Sequence, residues 1–192
     1  MKISTCPRDK GKRLLGLVLL GTIPAAVLGL TLEAQFEWLN ERPQAVAIAL
    51  LATGCVLFAT RWLPRGKKTT DDVSIADTVI MGLGQALALI PGVSRSGSTI
   101  TTGLLRGLTD SEAARYSFLL GIPAIAGAGL FEGSELFESG ANVGSEIFVG
   151  VAVAAVSGYA AIAFLLRLIG RTGLSPFGVY CVIAAIVALI FI

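Results

Sequence analysis

The sequence predicts an all-α polytopic membrane protein with five transmembrane helices and one re-entrant helical hairpin. Of the 192 residues, 54% are hydrophobic and only 15% are charged, and the mean hydropathy is +0.79. This composition is typical of a chain that crosses a bilayer several times. The sequence contains no histidine, so it lacks both the commonest general base and the commonest metal ligand.

The predicted spans are apolar stretches long enough to cross about 30 Å of hydrocarbon. Two of them precede the polar middle of the chain, at residues 14–32 and 44–63. Three follow it, at residues 113–131, 145–168 and 174–192. Because a helix rises about 1.5 Å per residue, each stretch is long enough for one crossing.

The segment 73–108 is apolar in parts, but one proline and two glycines interrupt it within residues 91–97. We interpret it as two half-helices, 75–90 and 98–108, joined by an irregular turn. Irregular backbone at membrane depth is tolerated only where protein or a water-filled cavity shields it. The segment is therefore expected to form a hairpin that enters and leaves on the same side.

The distribution of charge supports the hairpin. With this layout every lysine and arginine except Arg42 and Arg95 falls on one side, and the glutamates of residues 33–41 and 132–146 fall on the other. The positive-inside rule makes the basic side cytoplasmic, and it places the N-terminus of the chain there. A single crossing by residues 73–108 would move the later loops to opposite sides and remove the asymmetry.

The turn of the hairpin, PGVSRSGSTI at residues 91–100, combines an arginine with four hydroxyl residues and two glycines. Arg95 is expected about halfway through the bilayer, where an arginine costs from about 2.5 to about 17 kcal/mol depending on the method. Asp77, the nearest carboxylate in sequence, is expected to be a solvated charge at the start of the first half-helix. Arg95 therefore needs an anion, which is either a substrate or another part of the protein.

The motif suggests a phosphate site. The planar Arg95 guanidinium would bind two phosphate oxygens, and the backbone N–H groups of Ser96, Gly97 and Ser98 would hold others. Gln85 either points into this site or caps a contact between helices. The predicted phosphate-binding residues are Gly92, Ser96, Gly97, Ser98, Thr99 and Gln85. The structural alternative is that the small and hydroxyl residues, Thr99 included, serve helix packing and capping.

PGVSRSGST, with GLGQALALI before it, resembles the signature of the undecaprenyl-pyrophosphate phosphatases, the membrane enzymes associated with bacitracin resistance. The resemblance extends more loosely to GTIPAAVLGL at residues 21–30. It implies a hydrolase of the bacterial inner membrane that converts undecaprenyl diphosphate to undecaprenyl phosphate and phosphate, recycling the lipid carrier of cell-wall synthesis. The family's catalytic serine and arginine correspond to Ser94 and Arg95. Ser94 is then a nucleophile, a water-positioning hydroxyl or simply a phosphate ligand.

The resemblance also implies two inverted repeats, each with one re-entrant hairpin followed by three spans. Residues 73–192 match a complete second repeat, whereas residues 1–72 match only two spans of the first. The family's other motif, rich in glutamate and serine and containing a histidine, has no counterpart in this sequence. We therefore expect a truncated chain or gene model. No cofactor is expected from these residues, and any Mg²⁺ or Ca²⁺ ligands would belong to the other motif.

Two further functions stay open at this stage. One is a transporter or flippase for an anionic lipid or phosphate substrate, because broken helices in inverted repeats are typical of transporters. The other is an inactive remnant that binds lipid phosphate. The expected partners are a polyprenyl diphosphate lipid and the bilayer. Nucleic acid is not expected, and a homodimer is an open alternative.

Overall fold

The computed structural model describes residues 7–138 and 145–192, and the regular elements in these two ranges are helical. The predicted all-α class is therefore confirmed. Two single 3₁₀ turns, Thr60–Trp62 and Thr70–Asp72, accompany the α-helices. In chain order these helices are α1 (Pro7–Thr31), α2 (Glu33–Asn40), α3 (Pro43–Ala59), α4 (Ile75–Leu87), α5 (Arg95–Leu105), α6 (Asp110–Glu138), α7 (Ser145–Thr172) and α8 (Ser175–Phe191).

In the part of the chain that the structure describes, four segments are long and apolar enough to cross a membrane, and they overlap the first four predicted spans. They are Lys10–Thr31, Pro43–Trp62, Asp110–Phe131 and Ile147–Thr172. The stretch predicted as a fifth span forms α8, which is shorter at 17 residues. It begins only at Ser175 because α7 ends at Thr172 and is followed by Gly173, whose φ of 69° is a left-handed conformation that glycine favours.

Glycines set the distance between the helices that pack most closely. A Cβ added to Gly82 on α4 would lie 2.3 Å from the carbonyl oxygen of Gly21 on α1. A Cβ added to Gly178 on α8 would lie 2.4 Å from the amide nitrogen of Phe58 on α3. Membrane helices commonly use small residues for such backbone-to-backbone contacts. These two contacts hold α4 against α1 and α8 against α3.

The α4–α5 hairpin differs from the prediction at its turn. The second half-helix begins at Arg95 and not at Ser98, because Ser94 caps it: the Ser94 hydroxyl accepts a hydrogen bond from the Gly97 amide at 3.2 Å. The irregular turn is confined to residues 88–94. Within it, Gly92 has a φ of 91°, and a Cβ there would lie 2.2 Å from the carbonyl oxygen of Val46 on α3. The turn thus packs directly against the backbone of α3.

The open end of the hairpin is held together by Asp77, and the expectation that this carboxylate is solvated is wrong. Its side chain is 0% exposed, lies 2.7 Å from Nε of Arg106 and lies 3.2 Å from Nζ of Lys68. It also accepts hydrogen bonds from the amide and hydroxyl of Ser74 at 3.0 and 2.8 Å. Burial alone raises the pKa of Asp77, but the hydrogen bonds from Ser74, Arg106 and Lys68 hold it well below its ordinary value. Asp77 therefore joins the start of α4 to the residue that follows α5.

Candidate active site

Arg95, the first residue of α5, lies between α4 and α6. Its Nη2 atom donates a hydrogen bond to Oε1 of Gln85 on α4 at 3.0 Å. On the other side it lies against α6, where a Cβ added to Gly121 would be 3.1 Å from both Nη1 and Nη2. In the described ranges no carboxylate oxygen comes within 4.0 Å of this guanidinium. Its side-chain partner is a neutral amide, so its charge is not neutralised.

Gln85 is the second polar group of the site. Its side chain is 3% exposed, and its Nε2 atom is buried without a hydrogen-bond partner among the described residues. A buried donor left unsatisfied costs about 1–3 kcal/mol. Together with the remaining N–H groups of Arg95, the Gln85 amide offers donors that suit the oxygens of an anion.

Fewer backbone N–H groups of the motif are free to bind phosphate than the sequence suggests. Of the three amides expected to bind phosphate, that of Gly97 donates to the Ser94 hydroxyl and that of Ser98 donates to the Ser94 carbonyl at 2.9 Å. The Ser96 amide has no partner among the described residues. Ser94 accepts the capping bond, and its own hydroxyl proton is donated to no described residue. Of the three amides expected to bind phosphate, the structure thus leaves that of Ser96 free, and it leaves the Ser94 hydroxyl proton as a further donor beside Arg95.

Thr99 lies behind Arg95 and not in the open part of the site. Its side chain is 0% exposed, and its hydroxyl donates to the Arg95 carbonyl at 2.9 Å. It also forms a short hydrogen bond with the hydroxyl of Ser117 on α6. In this arrangement Thr99 supports the backbone of Arg95. Gly92 likewise serves the close contact with α3 described above.

A cavity of about 460 Å³ adjoins the guanidinium, between α6 and α7. Arg95, Ser96 and Ser117 form its polar side, and Arg115 contributes a second cation. That second arginine is paired with Glu112, 3.3 Å away, and its side chain is 63% exposed. The apolar wall comes from Ile122, Ile125, Ile162 and Leu166.

Sequence reasoning missed Ser117 and Gly121 as parts of the site. Both lie in the stretch 113–131, which was interpreted simply as a span. Their spacing of four residues puts them on one face of a helix, and this is the signal that could have found them. The spacing alone does not show which helix packs against that face.

The residues around Arg95 do not fit a site for Mg²⁺ or Ca²⁺. Among the residues whose side chains the structure describes, no group of three His, Cys, Asp or Glu residues is arranged to hold a metal ion. The groups beside Arg95 are an amide, hydroxyls and a backbone N–H, whereas these two cations prefer carboxylates.

A family model described as bacitracin resistance protein BacA matches residues 2–187. Undecaprenyl-diphosphatase 3 of Frankia alni is 41% identical over 191 residues, a match that covers 90% of this chain and 64% of the relative. An undecaprenyl-diphosphatase of Hahella chejuensis is 45% identical over 171 residues, covering 88% and 63%. One from Methanothermobacter thermautotrophicus is 42% identical over 168 residues, covering 86% and 93%. The chain thus spans slightly less than two thirds of the first two relatives and most of the third.

Proposed function

Because the chain belongs to the bacitracin resistance protein BacA family, we propose that it hydrolyses undecaprenyl diphosphate to undecaprenyl phosphate and inorganic phosphate. The observation that carries this proposal is the Arg95 guanidinium, which is held at 3.0 Å by the neutral Gln85 and has no carboxylate partner in the described ranges. A partly buried cation in this state favours an anion. The names of the relatives support a diphosphate as that anion.

In this mechanism Arg95 and the free Nε2 of Gln85 bind oxygens of the diphosphate. The Ser96 amide supplies a further donor, and these groups stabilise the charge that develops as the terminal phosphoryl group is transferred. A nucleophilic oxygen attacks the terminal phosphorus, the bond to the bridging oxygen breaks, and undecaprenyl phosphate leaves with the electron pair.

Ser94 has two roles in this scheme that its geometry supports equally. Its oxygen either attacks phosphorus itself, giving a phosphoserine that water then hydrolyses to inorganic phosphate and free serine, or its free O–H binds a phosphate oxygen while water attacks. Either nucleophile must lose a proton to a base. Since the described surroundings of Arg95 contain neither carboxylate nor imidazole, we assign the base to a group outside those surroundings.

We also propose a membrane topology of five crossings, with α8 as the fifth, in the bacterial inner membrane. The half-helices α4 and α5 have 13 and 11 residues, so they reach about 20 and about 17 Å, too short to cross about 30 Å of hydrocarbon. We therefore propose that they form a re-entrant hairpin. The positive-inside rule then puts the N-terminus of the chain in the cytoplasm.

Residues 1–72 and 73–192 would belong to two inverted repeats. The contact between α3 and α8 supports this division, because each of these helices closes its repeat and they meet backbone to backbone at Gly54 and Gly178. In the proposed arrangement this contact lies next to the axis that relates the repeats.

The test is phosphate release from undecaprenyl diphosphate by the purified chain and by Arg95→Ala. Arg167→Ala is the matched control, because that arginine is exposed on α7 and has no described ion pair. We expect Arg95→Ala to lower kcat/KM by at least about 100-fold and the control to stay near wild type. Full activity in Arg95→Ala would contradict the assignment. A wild-type chain that moves labelled lipid between leaflets without releasing phosphate would favour the carrier alternative.

A further inference from the structure

We propose that the cavity between α6 and α7 holds the first part of the prenyl chain while Arg95 binds the diphosphate, so that the lipid enters the site sideways between these two helices. This inference rests on the proposed function and adds the position of the substrate's tail. It predicts that α6 and α7 contact the isoprene units next to the diphosphate.

The cavity lining combines polar and apolar residues, as a site for an amphiphilic ligand requires. Arg95 and Ser96 contribute polar groups to its lining, and Ile122, Ile125 and Ile162 contribute apolar side chains. Its volume of about 460 Å³ falls within the range of about 300–1,000 Å³ that is usual for ligand pockets. A cation without a carboxylate partner and apolar side chains in the same lining complement an anionic head group with an apolar tail.

The cavity opens at the surface of the protein. The residues Ile122, Ile125 and Ile162, which line it, are 62%, 65% and 41% exposed. On α6, Gly129 follows Ile125 by four residues and so lies on the same face of the helix. It has no neighbouring atom within 4 Å of where a Cβ would lie, so a prenyl chain could continue from the cavity into lipid there.

A second apolar cavity, of about 790 Å³, lies between α1 and α4, but its cation is already bound. Arg13 lines it and donates hydrogen bonds to the carbonyl oxygens of Asp71 and Val73 at 2.9 and 2.6 Å. An anionic head group there would compete with both bonds. The cavity between α6 and α7 is therefore the better candidate for the lipid.

The experiment uses an undecaprenyl diphosphate analogue with a photoreactive diazirine in its first isoprene unit. After irradiation with the purified wild-type chain, mass spectrometry locates the labelled residues. We expect labels on α6 and α7 that excess undecaprenyl diphosphate removes. Competed labels on α1, α3 or α4 would overturn the proposal, as would labelling spread over all lipid-facing helices that excess lipid does not reduce.

Two tryptophan variants test the cavity directly. Ile162→Trp fills it, whereas Ala160→Trp lies two residues earlier on α7, about 200° around the helix, at an exposed position outside the cavity. We expect labelling to fall at least tenfold in Ile162→Trp and to stay unchanged in Ala160→Trp. Equal labelling in both variants would overturn the proposal. Competed labelling on α6 and α7 without any phosphate release would retain the tail site and refute only the hydrolase.

Discussion

Nη2 of Arg95 donates a hydrogen bond to Oε1 of Gln85 at 3.0 Å, and this bond connects the two half-helices of the hairpin next to its turn. A carboxylate in place of Gln85 would orient the guanidinium equally well. It would also neutralise the positive charge of Arg95, which we propose binds the diphosphate. The neutral amide therefore orients the Arg95 guanidinium without neutralising its positive charge.

Gln85→Glu tests this relationship. A carboxylate at this position would pair with Arg95 and compete with the diphosphate, so we expect KM for undecaprenyl diphosphate to rise at least about tenfold, equivalent to about 1.4 kcal/mol. Gln35→Glu, an exposed change on α2, adds the same charge away from the site. An unchanged KM in Gln85→Glu would show that Arg95 does not bind the substrate.

Gly121→Ala tests the contact between α6 and the guanidinium. The new Cβ would lie 3.1 Å from both terminal nitrogens of Arg95, so the flexible end of that side chain must shift. We expect phosphate release to fall about tenfold or more with little change in melting temperature, because misplacing a binding group slows the reaction more than it unfolds the protein. Gly127→Ala, in open space on the same helix, is the control. Equal activity of the two variants would refute this role for Gly121.

Asp77→Asn tests the ion pairs at the open end of the hairpin. Removing one partner of a buried pair costs about 3–5 kcal/mol. Here the partner side chains of Lys68 and Arg106 are 40% and 38% exposed, so solvent screening reduces the expected loss to about 1–3 kcal/mol. Asp71→Asn removes an exposed pair with Lys10 and should cost less than about 1 kcal/mol. Thermal unfolding in detergent compares the two.

The stabilising contribution of the Asp77 carboxylate depends on pH. Because the pKa of Asp77 is lowered in the folded protein, its stabilising contribution is complete above the ordinary carboxyl pKa of about 3.9 and is lost as the pH falls below that value. The difference in melting temperature between wild type and Asp77→Asn should therefore stay constant above about pH 5 and shrink as the pH falls below about 4. A difference that grows in acid would contradict the ion-pair explanation.

Gly82→Ala tests the backbone contact between α1 and α4. A methyl group there would lie 2.3 Å from the Gly21 carbonyl oxygen, so the helices must separate. Overpacking of this kind typically costs about 1–3 kcal/mol, measurable as a lower melting temperature. Gly16→Ala, on α1 with no atom within 4 Å of the new Cβ, should leave the melting temperature unchanged or raise it.

Much of this fold was accessible from the sequence. The first four predicted spans overlap the four membrane-length segments, because hydropathy is a local property of each segment. The helix boundaries at the hairpin turn were less accurate. Ser94 caps α5 and extends it back to Arg95, which removes two of the three amides that had been expected to bind phosphate. A serine before a helix can cap it or stay in the turn, and only its hydrogen bond distinguishes the two.

By itself the sequence determined that the chain forms apolar helices and that Arg95 has no carboxylate close to it in the motif. The first conclusion follows from the cost of placing polar or charged groups in hydrocarbon, which depends on residue type, and the second is read directly from the residues of the motif. Only the tertiary structure decided that Gln85 and Gly121 contact the guanidinium and that Asp77 is buried against Arg106 and Lys68. These contacts depend on how the helices are rotated and spaced, and that geometry is set by backbone contacts between glycines far apart in the chain.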